Sequence, residues 1–202
     1  MDEARNALFL RGTAIDEPIY SHENHGQKFY RFPIAIRRLS GQDDILHVIT
    51  TFEQLKPFLP LTGQRLALDG QLRSFNNKSG NGSRLVISVF PRTISPTHDE
   101  DHNIIQLTGV LCKPPILRRT PLGRCICDMM LAVNRRYGRA DYIPCIAWGQ
   151  IAMLTGSMTV GDSLTLEGRV QSRIYTKVID GIATERTAYE VSIMHLPNDA
   201  AE

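Results

Sequence analysis

The sequence predicts an all-β fold: two similar five-stranded barrels in tandem, each with one short helix between its third and fourth strands. Three observations lead there. Short runs alternate apolar and polar residues, the period-two pattern of half-buried strands. Gly-rich turns separate those runs and leave room for little helix, as expected of closed barrels with few free edges. The second half also repeats the first. Asn6, Gly12, Pro18 and Gly26 match Asn103, Gly109, Pro115 and Gly123 at one constant shift. The same shift matches Ile34, Ala35 and Ile36 with Leu131, Ala132 and Val133, and Asp44 with Asp141. After one insertion Gly63 and Gly70 match Gly161 and Gly168, and 85–89 echoes 189–193. A period of about half the chain is a domain duplication, since solenoid repeats are far shorter.

In order, the first copy reads as strands over 6–17, 27–39 and 44–51, a helix over 52–59, and strands over 65–75 and 84–91. The second reads as strands over 103–114, 124–136 and 141–148, a helix over 149–157, and strands over 162–175 and 186–195. The division falls at 94–102, where Pro, Thr, His and acidic residues cluster as in an exposed linker. The expected parts are a diverged barrel over 1–93, that linker, a second barrel over 103–197 and a short polar tail over 198–202.

Gly63 and Gly161 stand where a helix gives way to a strand, a common place for positive φ. Gly70 and Gly168 fall inside strands and mark a bulge or barrel corner. His22, Glu23, Asn24 and His25 read as a polar loop tip between the first two strands. Asp43, Asp44, Asp141 and Asp162 read as turn residues that cap local backbone donors. The four cysteines, Cys112, Cys125, Cys127 and Cys145, form no Cys-x-x-Cys pair and read as small buried thiols of a reducing compartment.

The chain has 202 residues, 42% of them hydrophobic and 22% charged, and a formal net charge of only +2. That supports packed cores and excludes a strongly basic tail as the means of holding a polyanion, leaving a local concentration of arginines. No apolar run approaches the roughly 20 residues of a spanning helix or the length of a signal peptide, so the expected location is cytoplasmic, with no membrane partner. No paired carboxylates, Ser-His-Asp spacing, phosphate-cradling Gly loop or zinc-ligand spacing appears. The expectation is no enzyme, no metal and no cofactor.

The most informative stretch is 118–148, RRTPLGRCICDMMLAVNRRYGRADYIPCIAW. Cys125, Cys127, Met129, Leu131 and Val133 share one face of its first strand. Tyr142, Pro144, Ile146 and Trp148 share one face of the second. The turn between them carries Arg135, Arg136, Tyr137 and Arg139. Aromatic rings among guanidinium groups suit a flexible polyanion whose bases can stack.

With the opening NIIQLTGVLCKPPILRRTPLG, the runs LAVNRR and DYIPCIAWGQIA, and the close VGDSLTLEGRVQSRIY followed by TAYEVSI, the second half resembles the bacterial single-stranded DNA-binding proteins. The resemblance implies that each barrel is an OB-fold and that the ligand is single-stranded DNA, bound without regard to sequence in replication, recombination or repair. It places Tyr137, Tyr142, Trp148 and Tyr175 at the family's base-stacking positions. The family often has Trp where this chain has Tyr, so the stacking area is smaller. The competing reading is a barrel-wall or subunit-contact role, and for Trp148 packing beneath the following helix. Arg118, Arg119, Arg124, Arg135, Arg136, Arg139, Arg169, Arg173 and Lys177 form the basic set for phosphate neutralisation. Of these, Arg124 and Arg136 are expected to point outward from the second strand.

At the aligned positions the first copy has Ser40, Ile45 and Thr51, with Phe75 near the place of Tyr175. Its stacking platform is therefore expected to be largely gone, while Arg31, Arg37, Arg38, Arg73, Lys78 and Arg84 remain. The family presents four OB-folds, so two per chain implies a homodimer, located with the nucleoid. Replication or repair proteins are possible partners. The family typically ends in a Gly- and Pro-rich linker with an acidic tip. This chain closes with MHLPNDAAE, so the resemblance gives no support for the hub role. The alternative is a primosome-like OB-fold module for protein interaction with secondary DNA binding. RNA binding is a third reading.

Overall fold

The computed structural model describes residues 6–77, 84–135, 138–179 and 182–197, with the side chains of Lys177, Ile179 and Ile182 excepted. Contacts group the described chain into two compact units. One holds Ala7–Asn103 together with Gln171–Ala188. The other holds Ile104–Val170 with Asn6 and 189–197. The arm 171–188 belongs in sequence to the second copy and in packing to the first.

The first barrel is built from β1 (Asn6–Ala14), β2 (Ile19–Asn24), β3 (Gln27–Arg37), β4 (Asp43–Thr51), α1 (Phe52–Leu55), β5 (Arg65–Asn76) and β6 (Leu85–Pro96). A 3-10 turn at Lys56–Phe58 takes over from α1 at Pro57, so the predicted helix is split in two. Neighbouring strands run β3-β4-β6-β5-β1, and β1 returns to β3 through Thr13 opposite Ala35, which closes the barrel. All pairs are antiparallel except β4 with β6. The even positions of β1 are buried, as are Phe32, Ile34 and Ile36 of β3 and Leu66, Leu68 and Leu72 of β5, so the period-two reading holds.

The second barrel repeats this plan with β7 (His102–Leu111), β8 (Ile116–Arg119), β9 (Cys125–Asn134), β10 (Ala140–Trp148), α2 (Gly149–Gly156), β11 (Ser163–Ile179) and β12 (Ile182–His195). The order is β7-β11-β12-β10-β9, closed where Val110 of β7 meets Ala132 of β9, and β10 runs parallel to β12. Only the ends of β11 and β12 nearest the barrel, up to Val170 and from Tyr189, pack with it.

Two strands escaped the sequence. β2 and β8 are exposed at every position, so no apolar alternation betrays them. The residues read as a loop tip divide between the end of β2 and a turn, where His25 and Gly26 take positive φ. Two further readings change. Asp44 and Asp141 are buried within strands, not exposed in turns. Asp162 does cap a turn, accepting the Thr159 N–H at 2.7 Å. Gly168 needs its missing side chain, because a Cβ there would run into the carbonyl oxygen of Ser192. The acidic segment before β7 is tied down: Arg11 bonds Asp99 at 2.6 Å, and Asp101 accepts from the Arg37 N–H at 2.6 Å and pairs with Arg65 at 2.8 Å.

Candidate nucleic-acid interface

On β10 the two faces separate cleanly. Asp141, Ile143, Cys145 and Ala147 turn into the barrel and are buried. Tyr142 and Trp148 turn outward, 46% and 41% exposed. Pro144 between them is half-buried, and Ile146, although on the same side, is buried. Six residues of strand put the two ring positions roughly 20 Å apart. Ladder pairs extend this face onto β9, with Tyr142 opposite Ala132, Ile146 opposite Asp128 and Trp148 opposite Ile126.

The arginines divide by what they already hold. Arg118, on β8 opposite Ile126, bonds Asp128 through Nε at 2.5 Å and through a terminal nitrogen at 3.3 Å. The Asp128 hydrogen bond raises the Arg118 pKa, partial desolvation opposes this, and the charges of Asp128 and Glu190 add to the rise. Arg135 reaches into the barrel to Asp141, with Nε at 2.5 Å from one carboxylate oxygen and a terminal nitrogen on the other. Asp141 is fully buried and Arg135 mostly so, which makes this pair part of the scaffold. By contrast, Arg119, Arg124 and Arg139 are exposed and form no ion pair among the described residues. Arg124 lies in the turn before β9, its N–H bonded to the Thr120 hydroxyl at 3.1 Å, and not in the strand as predicted. Arg169 is half-buried on β11, and its Nε finds no acceptor.

Arg173 and Tyr175 sit on the 171–188 arm and therefore in the first unit, with the guanidinium carbon 5.7 Å from the ring centre. Lys177 follows them on the same strand. Arg136 and Tyr137 lie outside the described residues.

The buried Arg–Asp pair occurs twice. Arg38 bonds Asp44 at 2.7 and 2.5 Å, and both residues are the repeat counterparts of Arg135 and Asp141. Asp44 also accepts the Ser172 N–H at 2.7 Å, while the Ser172 hydroxyl accepts the Ile45 N–H at 3.1 Å, which fastens the arm to β4. The sequence carried a signal for these pairs. Both aspartates fall on the parity of the core residues that follow them, where a carboxylate needs a partner.

The first barrel is less bare than the aligned positions suggest. Ser40, Ile45 and Thr51 supply no rings, but neighbouring strands do. His22 stacks on Phe29 with centroids 5.0 Å apart, Phe29 meets Phe90 at 6.4 Å, and Phe90 meets Phe75 at 5.6 Å. Alignment between the copies finds only Phe75, near Tyr175, because Phe29 and Phe90 match no aromatic of the second copy.

Residues 102–197 match the model of the single-strand binding protein family. The single-stranded DNA-binding protein 2 of Listeria monocytogenes is 34% identical over 110 residues, covering 50% of this chain and 68% of that protein. The chain belongs to the single-strand binding protein family. Single-stranded DNA-binding protein B of Bacillus subtilis is 36% identical over 80 residues, covering 36% of this chain and 71% of the relative. The family match covers the second barrel. Over the whole chain, the wild-type single-stranded DNA binding protein from Thermus aquaticus superposes with a TM-score of 0.78 at 22% identity, covering 100% of this chain and 96% of that one. This identifies the fold as two OB-folds in tandem. The present chain pairs a ring-bearing β10 with a first copy whose rings lie on other strands.

Proposed function

We propose that the protein binds single-stranded DNA without sequence preference, with bases stacking on Tyr142 and Trp148 of the second barrel and on Tyr175 of the arm. The observation that carries this reading is the outward pair on β10, two half-exposed aromatics on a strand whose alternate residues are all buried. Aromatic stacking is worth about 1–3 kcal/mol per base and tolerates any base. Arg119, Arg124 and Arg139 neutralise phosphates, and Arg136, Arg169, Arg173 and Lys177 complete the basic set. In chain order the copies run 1–93 and 103–197 about the 94–102 segment. Two chains supply the four barrels of a homodimer acting at exposed single strands in replication, recombination or repair.

The chain has one tryptophan, Trp148. Titration with oligo-dT should quench its fluorescence deeply, with an affinity that falls steeply as salt rises. Absence of quenching at low salt overturns the reading.

A second reading has one observation in its favour. On the second barrel, Met153 and Leu154 of α2 and Ile116 and Leu117 of β8 are exposed apolar side chains on contacting elements. Such a patch suits protein docking, as in a primosome-like module. Failure of oligo-dT to quench Trp148 would favour it.

A further inference from the structure

The arm 171–188 is a part of the second copy that packs within the first unit, and its root is held at one residue, Ser172. Every polar group of Ser172 finds a partner in the first copy. Its N–H donates to Asp44 Oδ1 at 2.7 Å. Its carbonyl accepts from a terminal nitrogen of Arg38 at 3.2 Å. Its hydroxyl accepts from the Ile45 N–H at 3.1 Å and reaches Asp44 Oδ1 at 3.5 Å. The terminal nitrogen of Arg38 that meets the carbonyl also bonds Asp44 Oδ1, at 2.5 Å. Ser172, Asp44 and Arg38 therefore close a ring of hydrogen bonds.

The character of that ring matters for what lies further along the strand. The Asp44 side chain is 1% exposed and that of Arg38 14%, so these bonds are shielded from water and hold the backbone firmly. A strand residue aims its N–H and C=O at the same edge, so the ring fixes which edge of β11 meets the first copy. Side chains alternate, which sends Arg173 and Tyr175 to the side opposite Ser172. Tyr175 stands three residues from the ring, roughly 10 Å along the strand, with the Arg173 guanidinium over its aromatic face. The first copy lacks the rings of β10, with Ile45 and Thr51 in their places, yet it has both members of the Arg–Asp pair.

We propose that Asp44 and Arg38 of the first copy are positioning residues for the DNA-contacting arm of the second. By seating Ser172 they set where Tyr175 is presented. A ring on an arm held at its root is ordered before a base arrives. On a loose arm the same contact must first offset the conformational entropy of ordering the strand. The inference rests on the reading of Tyr175 as a stacking residue, and it gives the first copy a task in binding that needs no aromatic of its own.

The test is a double-mutant cycle in the full chain, read as the affinity for labelled oligo-dT by fluorescence anisotropy. Tyr175→Ala alone should weaken binding about fivefold or more, the lower end for one stacked base. Ser172→Pro removes the N–H given to Asp44 and the hydroxyl together. In that background Tyr175→Ala should change affinity by less than about twofold, the scatter of independent sites. Tyr142→Ala should cost the same with or without Ser172→Pro, since Tyr142 stands on β10. Equal Tyr175→Ala losses in the two backgrounds overturn the inference and leave Tyr175 a stacking residue. No loss from Tyr175→Ala alone overturns the placement of Tyr175 and the inference with it. A Tyr142→Ala cost that shrinks in step makes Ser172 a residue of general stability and also overturns it. If circular dichroism shows that Ser172→Pro does not fold, Ser172→Ala decides. It keeps the backbone and loses only the acceptor of the Ile45 N–H, and it should shrink the Tyr175→Ala loss by at least about twofold. An unchanged loss there overturns the inference. Ser172→Thr, which has both the N–H and a hydroxyl, should keep the full Tyr175→Ala loss; a loss as small as in Ser172→Pro overturns it.

Discussion

Asp128→Asn should tighten DNA binding, and the structure fixes by how much. Asp128 is the one carboxylate on the outward side of β9 and lies between the rungs that hold Tyr142 and Trp148. It holds Arg118 in a two-point ion pair, with side-chain exposures of 50% for the arginine and 36% for the aspartate. At that exposure the pair contributes no more than about 1 kcal/mol to stability, so the variant should fold normally. Removing the carboxylate frees one guanidinium for phosphate. Each phosphate contact on a single strand adds about 0.7 to the magnitude of the slope of log affinity against log salt. The slope should steepen by about 0.7, and in 0.1 M salt that is roughly a fivefold gain in affinity. The charge of Glu190 also acts on Arg118 and stays in the variant. Fluorescence anisotropy of a labelled oligo-dT over a salt series reads both quantities. Arg118→Ala is the control: its charge is already neutralised, so the slope should stay near the wild-type value. An unchanged slope in Asp128→Asn, with normal circular dichroism, would refute the argument that ion pairing decides which arginines meet phosphate.

Other expectations follow from the same geometry. Tyr142→Ala should cost about 1–3 kcal/mol of DNA affinity and leave the melting temperature close to wild type, since the ring is half-exposed; wild-type affinity would remove Tyr142 from the interface. Arg135→Ala strips a fully buried carboxylate of its guanidinium and should cost about 3–5 kcal/mol, a drop of roughly 10 °C in thermal denaturation. A drop of only a degree or two would mean the pair is not structural. His47 has its pKa lowered, first by burial and then by the charge of Arg31. The folded state therefore resists a proton that the unfolded chain accepts near its ordinary value of 6.5. His47's contribution is complete above that pH and erodes as pH falls below it, so the urea midpoint should decline from pH 7.5 to 5.5, less steeply in His47→Gln. Gly168→Ala should destabilise the second barrel, because the Ser192 carbonyl blocks a Cβ; an unchanged midpoint would refute the close approach.

Much of this was legible beforehand because it follows from period-two burial. The core parity of β1, β3, β9 and β10 and the outward placement of Tyr142 and Trp148 are set by alternation alone. The features missed are those that alternation cannot encode. Strands β2 and β8 bury no face and exist only through pairing with their neighbours. The Arg–Asp locks place a charge where a core residue belongs, and only the partner's position explains it. The commitment of Arg118 to Asp128 depends on a diagonal across two strands. The ring row of the first barrel depends on four strands that are distant in sequence, so a copy-to-copy alignment finds only Phe75 of it.

The arm 171–188 sets a rule for dissecting the molecule. A gene cut at the repeat boundary yields two fragments, neither holding a complete packing unit. The amino-terminal piece would lack Ser172, the donor seated on buried Asp44, and its carboxyl-terminal complement would display Arg173 and Tyr175 on a limb stripped of its support. Poor behaviour of separated halves would then measure an amputated limb, and weak DNA binding by either piece would say nothing of the intact chain.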